Sequence, residues 1–79
     1  MMEIINLGYN NVVLKNRVVA ILGLNSSPLK RLVEIARKEN KLIDATSGRK
    51  TRSIILTDTG FIILSSLQPQ RLAQRIKEK

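Results

Sequence analysis

The chain has 79 residues, with 14 Lys and Arg against 6 Asp and Glu, a formal net charge of +8 and a sequence pI of about 10.7. This excess of positive charge indicates a polyanionic partner, either a nucleic acid or an anionic surface. The chain contains no Cys and no His, which excludes disulfides, thiolate zinc sites and the usual general base. Only a carboxylate site for Mg²⁺ remains open, and the six acids are scattered along the sequence without a pair that would form one. We therefore expect no enzymatic activity, no metal and no cofactor.

The apolar segments are too short for a membrane protein. The longest run, Val18 to Leu24, cannot span a bilayer, and the start of the chain, Met1 to Glu3, lacks a secretory signal. With no Trp, one Phe and one Tyr, a membrane-surface helix is also disfavoured. We expect a cytoplasmic protein with one domain over residues 1–79, no membrane partner and no small-molecule substrate that the sequence identifies.

Two β regions are predicted first. Ile4 to Leu7 predicts a short strand, and Gly8 to Asn11 predicts the turn that ends it. The segment from Val12 to Leu22 is either one long strand with a bulge or two strands around a tight polar turn, because Asn16 tolerates a positive φ. In both cases Arg17 lies at the irregularity.

An amphipathic basic helix follows. Pro28 suits the first helical position and Ser27 can cap it, so we expect a helix that continues to about Asn40. Lys30 and Arg31 lie in its first turn, against the helix dipole, which costs roughly half a kcal/mol each unless an anion or another subunit's carboxylate lies nearby. The predicted apolar stripe, with spacing i, i+3, i+4 and i+7, is Leu29, Leu32, Val33 and Ala36.

The second half of the chain predicts two hairpins and a final helix. A third strand, Leu42 to Thr46, is joined to the next by Ser47-Gly48-Arg49-Lys50, a length typical of a hairpin loop. The apolar strands Arg52 to Thr57 and Phe61 to Ser66 form the second hairpin, buried on both faces. Gln68-Pro69 opens a short C-terminal helix. Its predicted apolar stripe is Leu72, Ala73 and Ile76.

These elements predict an α+β fold: a small, mostly antiparallel sheet of four to five short strands, one amphipathic helix packed on it, and a short C-terminal helix. One helix covers one face, so the other face and the sheet edges are candidate subunit contacts. A chain this short buries only roughly 60% of its unfolded surface. We therefore expect a homo-oligomer to supply further stability.

The segment after Asp44 is the most informative part of the sequence. Arg49, Lys50 and Arg52 follow a Ser-Gly turn signal, and no acid occurs from there until position 58. Positive charge that is locally uncompensated at a turn indicates contact with a polyanion. Together with Arg17, these residues are candidate nucleic-acid contacts. Arg52 alternatively serves structure, held by Asp44 across the loop.

Lys30 and Arg31 are further candidates for nucleic-acid contact, whereas the other cations of that helix are typical of a solvated face. RNA is the alternative nucleic acid. Sequence-specific RNA modules stack unpaired bases on aromatic rings, and only Tyr9 and Phe61 are present, the latter expected in the core. Double-stranded DNA is therefore preferred. A purely structural assembly protein, with basic patches that meet acidic partners, is the alternative from another class.

Several segments carry a family resemblance by their order and spacing. They are Asn6-Leu7-Gly8, Asn16-Arg17, Ser27-Pro28-Leu29-Lys30-Arg31, Leu42-Ile43-Asp44-Ala45-Thr46, Gly48-Arg49-Lys50-Thr51-Arg52 and Leu64-Ser65-Ser66-Leu67-Gln68-Pro69. In these segments the chain resembles the RemA family of bacterial extracellular-matrix (biofilm) regulatory proteins. The similarity covers nearly the whole chain.

The resemblance implies a transcriptional regulator, an activator of extracellular-matrix genes, that binds duplex DNA as a ring-shaped homo-oligomer. It also implies a fold related to LytTR DNA-binding domains. The family's DNA-contacting arginines correspond here to Arg17, Arg49 and Lys50. Lys50 departs from the more usual Arg at its position, and an ammonium contacts phosphate but lacks the planar fork needed for bidentate recognition.

Overall fold

Six strands and two helices form within residues 3–24 and 27–77, the part of the chain that this computed structural model describes. In chain order they are β1 Ile4–Gly8, β2 Asn11–Leu14, β3 Val18–Gly23, α1 Ser27–Lys38, β4 Leu42–Asp44, β5 Ser53–Thr57, β6 Ile62–Ser65 and α2 Pro69–Lys77. The predicted α+β class is confirmed. The expected cap on α1 is the side chain of Ser27, which lies outside the described residues.

The strands form two sheets rather than one. β1 and β2 make an antiparallel hairpin, and the other four strands form a sheet in the order β3-β5-β6-β4. β5 is antiparallel to both of its neighbours, whereas β4 is parallel to β6. A mostly antiparallel sheet is therefore confirmed.

The predicted hairpin between β4 and β5 is wrong. Both strands neighbour β6, on opposite sides, so they do not pair with each other. The segment 45–52 instead crosses the end of β6. It is attached there by two backbone hydrogen bonds, from Ala45 N to the Leu64 carbonyl (2.9 Å) and from Arg52 N to the Ser65 carbonyl (2.8 Å).

Residues 12–22 form two strands, the second of the two alternatives. A 3₁₀ turn, Lys15–Arg17, separates β2 from β3, and the two strands belong to different sheets. Asn16 does not take a positive φ; within residues 3–24 the left-handed residues lie at the β1–β2 turn, from Gly8 to Asn10. The expected position of Arg17 at the irregularity is confirmed.

Both faces of the four-stranded sheet are covered within one chain. On one face, Ala36 of α1 is buried among Ile54, Ile62 and Leu64. On the other face, the β1–β2 hairpin and α2 bury Ile5, Leu7 and Leu72 against Ile55 and Ile63. Burial of β5 and β6 on both sides is as predicted, but the expectation of a bare sheet face for subunit contact is wrong.

Each helix contacts the sheet through a narrower stripe than predicted. In α1 the packed residues are Leu29, Val33 and Ala36, while Leu32 at the border of the stripe remains 40% exposed. In α2, Leu72 is fully buried but Ala73 is exposed.

Two buried serines attach the start of α2 to the sheet. Ser53 and Ser65 are register partners on β5 and β6, and both are fully buried. The Ser53 hydroxyl donates to the Leu67 carbonyl at 2.8 Å, and Ser65 Oγ accepts from Leu67 N at 3.2 Å. These bonds hold the segment between β6 and α2 in place.

Replacing Ser53 by Ala should lower the free energy of unfolding. The Leu67 carbonyl loses its hydroxyl donor in a partly buried position, which costs about 1–3 kcal/mol. Urea unfolding at one fixed protein concentration measures the change. Gln70→Ala, on the exposed side of α2, is the control and should stay within about 0.5 kcal/mol of the native protein; equal stability of the two variants would contradict the role of Ser53.

Candidate nucleic-acid interface

The 45–52 loop lies at one end of the four-stranded sheet. β4 ends beside Leu64 and β5 begins beside Ser65, so both ends of the loop lie at the C-terminal end of β6. Ser47 and Gly48 have φ values of 54° and 80°, which turn the chain back on itself. A Cβ at Gly48 would be strained in this conformation although no atom lies within 4 Å. The turn leaves Arg49 and Lys50 exposed.

Asp44 shapes this loop and does not hold Arg52. Its Oδ1 accepts hydrogen bonds from Thr46 N at 2.9 Å and from Thr46 Oγ1 at 2.6 Å. These two bonds, with a smaller contribution from the charge of Arg37, lower the pKa of Asp44 against the opposing effect of partial burial. The alternative interpretation of Arg52 as a partner of Asp44 is wrong: among the described residues Asp44 bonds to Thr46 through Oδ1, and the ion pairs do not include Asp44 with Arg52.

Arg49 stacks on an aromatic ring that no local sequence signal connects to this loop. Its guanidinium carbon lies 4.1 Å from the centroid of the Tyr9 ring. Tyr9 belongs to the β1–β2 turn, which the fold brings to the same end of the sheet as the loop. The sequence marks both residues as parts of turns. It does not predict their contact, because they lie far apart in the sequence and only the fold brings them together.

Arg17 lies at the opposite end of the sheet. It precedes Val18, which pairs with Thr57, whereas Arg52 precedes Ser53 at the far end of β5. At about 3.4 Å per residue, these two ends are separated by up to about 20 Å. A single subunit therefore does not bring Arg17 together with the loop cations.

Arg17 is also engaged by an acid. Its Nη1 lies 3.0 Å from Asp58 Oδ2, and its carbonyl accepts from Asp58 N at 3.0 Å. Both side chains are largely exposed, at 57% and 41%, so the pair can exchange with a competing anion at little cost. The Arg17 guanidinium thus remains available to a phosphate, but in competition with Asp58.

The helix candidates divide between two surfaces. Lys30 lines a recess together with Thr51 of the loop, so it lies near the loop end of the sheet. Arg31 lies on the outer side of α1, in a shallow recess with Leu32 and Ile35. Lys50 and Arg52 line a polar recess of their own with residues from the start of α2. Of the two helix candidates, Lys30 therefore lies near the loop cations and Arg31 does not.

The loop end carries positive charge without an acidic partner among residues 3–24 and 27–77. Three described acids pair with cations outside the loop: Glu3 with Lys15, Asp58 with Arg17, and Glu34 with Arg37, the last pair lining the same recess as Lys30. Glu34 pairs with Arg37, three residues further along the same helix. Arg49, Lys50 and Arg52 take part in none of these ion pairs, so their field extends into solvent.

Other classes of site are not apparent in the described part of the chain. Residues 3–24 and 27–77 hold no group of three acids placed to bind a metal ion. Neither described helix has the length and hydrophobicity needed to cross a bilayer. The basic loop end is the surface with the most distinctive chemistry.

Comparison with known proteins defines the class as regulatory. Residues 4–76 match the RemA-like family, described as extracellular matrix regulatory protein A-like, and the chain belongs to this family. A relative in Thermotoga maritima is 58% identical over 99% of this chain and 85% of its own length. Another, in Fervidobacterium nodosum, is 56% identical over 99% and 84%. Both carry the name "Putative regulatory protein".

The lowered pKa of Asp44 predicts an acid-sensitive loop. A carboxyl group whose pKa falls on folding stabilises the structure above its ordinary value of 3.8, and this contribution is lost as the pH falls through the lower folded value. The Thr46 amide resonance should therefore titrate below pH 3.8 in an NMR pH series. Asp44→Asn should abolish that step, whereas a Thr46 signal that titrates at or above the ordinary value would contradict the assignment.

Proposed function

We propose that this protein is a non-catalytic regulator that binds double-stranded DNA through the basic end of its sheet. The observation that carries the proposal is the exposed group Arg49, Lys50 and Arg52, on a loop attached at both ends to β6 and without an acidic partner among residues 3–24 and 27–77. Because the loop is attached at both ends, its backbone loses little conformational freedom when its cations meet phosphates.

Membership in a family of matrix regulators supports transcriptional control as the purpose of this binding. Phosphate contacts by Lys50 and Arg52 give affinity and register, and they depend little on sequence. Lys30, which lies beside the loop, extends the positive surface toward α1. We expect Arg31 to contribute less to DNA binding than Lys30 and the loop cations, because it lies on the outer side of α1.

Duplex DNA remains preferred over RNA. The expectation that Phe61 lies in the core is wrong: it is 38% exposed, on the wall of a mainly apolar groove that Arg17 and Asp58 also line. Tyr9 is exposed as well, but Arg49 lies over one face of its ring, so that face is not free to stack on a base. An aromatic platform for unpaired bases would need open ring faces.

We further propose that the protein acts as a closed ring. Arg17 lies too far from the loop cations to share one phosphate cluster with them in a single subunit, whereas a ring presents several copies of Arg17 and of the loop cations to one long duplex. A ring also repeats each modest contact, which raises the overall affinity for a long duplex.

Two separate apolar surfaces support a head-to-tail contact in this ring. One is a groove of about 360 Å³ between the β1–β2 hairpin and the β4 side of the sheet, where Val12 and Ile43 are 55% and 45% exposed. The other is the outer side of α1, where Leu32 and Ile35 are 40% and 46% exposed. They lie on opposite faces of the sheet, which suits a contact between two unlike surfaces.

Arg49→Ala and Lys50→Ala should weaken binding to a fluorescently labelled duplex and reduce its salt dependence. Removal of one phosphate interaction should make the slope of log affinity against log salt shallower by about 0.9. Lys38→Gln, which removes the same charge from the exposed C-terminal end of α1, is the matched control and should leave affinity nearly unchanged. Affinity that does not fall as salt rises, or equal weakening in all three variants, would contradict the proposal.

The Arg17–Asp58 pair gives a second test with the opposite sign. Asp58→Asn should increase DNA affinity, because it removes the carboxylate that competes with phosphate for Arg17. Arg17→Ala should decrease affinity, and Asp58→Asn should then add little to the Arg17→Ala variant. Unchanged or weaker binding by Asp58→Asn, with assembly intact, would exclude Arg17 from the interface.

The ring predicts a specific mixing result. Ile35→Asp and Ile43→Asp should each abolish the oligomer in light scattering, since each places a charge on one of the two apolar surfaces. An equimolar mixture should form a dimer through the remaining intact pair of surfaces. Gln74→Asp, which adds the same charge on the exposed side of α2, is the control and should leave the oligomer intact. A native protein that is monomeric at micromolar concentration would exclude the ring.

A further inference from the structure

The turn between β1 and β2 contains an unfavourable residue. Gly8 pairs with Asn11, so Tyr9 and Asn10 form a two-residue loop, with φ values of 53° and 68°. Loops of this geometry favour Asn followed by Gly, because both positions are left-handed. A bulky side chain with φ above zero is a conformational outlier, and outliers of this kind cluster at functional sites.

The turn does not depend on the phenol ring of Tyr9. Asn6 Oδ1 accepts from Gly8 N at 2.7 Å, and Asn11 Nδ2 donates to the carbonyls of Gly8 and Tyr9, both at 3.3 Å. The ring itself is 48% exposed, and its hydroxyl makes no hydrogen bond within the described residues. Its interaction partner is the guanidinium of Arg49, 4.1 Å from the ring centroid.

We propose that Tyr9 is a positioning residue of the nucleic-acid interface, which holds the Arg49 guanidinium over its ring so that the N–H groups of Arg49 face the phosphates. This inference rests on the proposed DNA binding. A free arginine side chain must lose its rotational freedom on binding, whereas a guanidinium already held on an aromatic face has lost part of it beforehand. The unfavourable backbone of Tyr9 is consistent with a residue retained for this contact.

The backbone conformation offers an unusually clean test. Tyr9→Asn removes the ring but introduces the residue that this turn prefers, so the stability of the fold should be unchanged or higher. DNA affinity should nevertheless fall by about two- to five-fold per contacting subunit, which corresponds to an exposed cation–π contact of about 0.5–1 kcal/mol. A merely structural tyrosine would lower stability and affinity together.

Two further variants separate the ring from its bulk. Tyr9→Phe keeps the aromatic face and should bind labelled duplex DNA like the native protein. Tyr9→Leu keeps apolar bulk at the same strained position without a π system, and should bind as weakly as Tyr9→Asn. This comparison between Phe and Leu remains informative even if Tyr9→Asn perturbs folding.

A double-mutant cycle with Arg49→Ala decides whether Tyr9 acts through Arg49. We expect Tyr9→Asn to cause no further loss of affinity in the Arg49→Ala background. An equal loss in both backgrounds, or native affinity of Tyr9→Asn while Arg49→Ala is weakened, would overturn the positioning role but leave the proposed DNA binding intact. Native affinity of Arg49→Ala would instead overturn the proposed function itself.

Discussion

The parallel pairing of β4 with β6 is the constraint on which the rest of the structure depends. Because β4 and β5 lie on opposite sides of β6, the chain between them must cross the end of that strand. Backbone hydrogen bonds from Ala45 and Arg52 fasten this crossing at both ends. A hairpin tip with the same residues would project freely, whereas the backbone of this loop is held at the end of β6 and its cations remain exposed there.

The charge distribution follows from this arrangement. Most of the described acids are engaged away from the loop, with Asp58 at the opposite end of the sheet, or contribute to the loop's shape, as Asp44 does. The β1–β2 turn completes the basic end, because the hairpin that covers one sheet face also carries Tyr9 to Arg49. A small chain thereby gains one concentrated basic surface and one separate arginine, and head-to-tail assembly is the proposed way to combine them.

The sequence predicted the elements better than their pairing. Local signals identified the helix at Pro28, the β5–β6 hairpin and the start of α2 at Pro69, since each depends on neighbouring residues. The pairing of β4 was missed because the length of the 47–50 segment fits a hairpin as well as a crossing. The cover over the second sheet face was missed for a related reason: part of it comes from the β1–β2 hairpin, which is distant in sequence from β5 and β6, and α2 completes it.

The candidate site shows the same division. The charge of Arg49, Lys50 and Arg52 is visible in the sequence because it is local, whereas the Tyr9 contact and the Asp58 partner of Arg17 join residues about 40 positions apart. The alternative interpretation in which Asp44 holds Arg52 also came from their proximity in sequence. Thr46 occupies Asp44 instead because its N–H and hydroxyl both lie within hydrogen-bonding distance of one carboxylate oxygen.

Hydrogen exchange of backbone amides, measured with and without saturating duplex DNA, tests the central claim most directly. If the basic end of the sheet binds DNA, protection should appear at residues 46–52 and at the turn of residues 8–10. The amides of residues 73–77, in the second half of α2 and outside the recess lined by Lys50 and Arg52, should change little by comparison. Protection that spares residues 46–52 and concentrates on α2 would contradict the account.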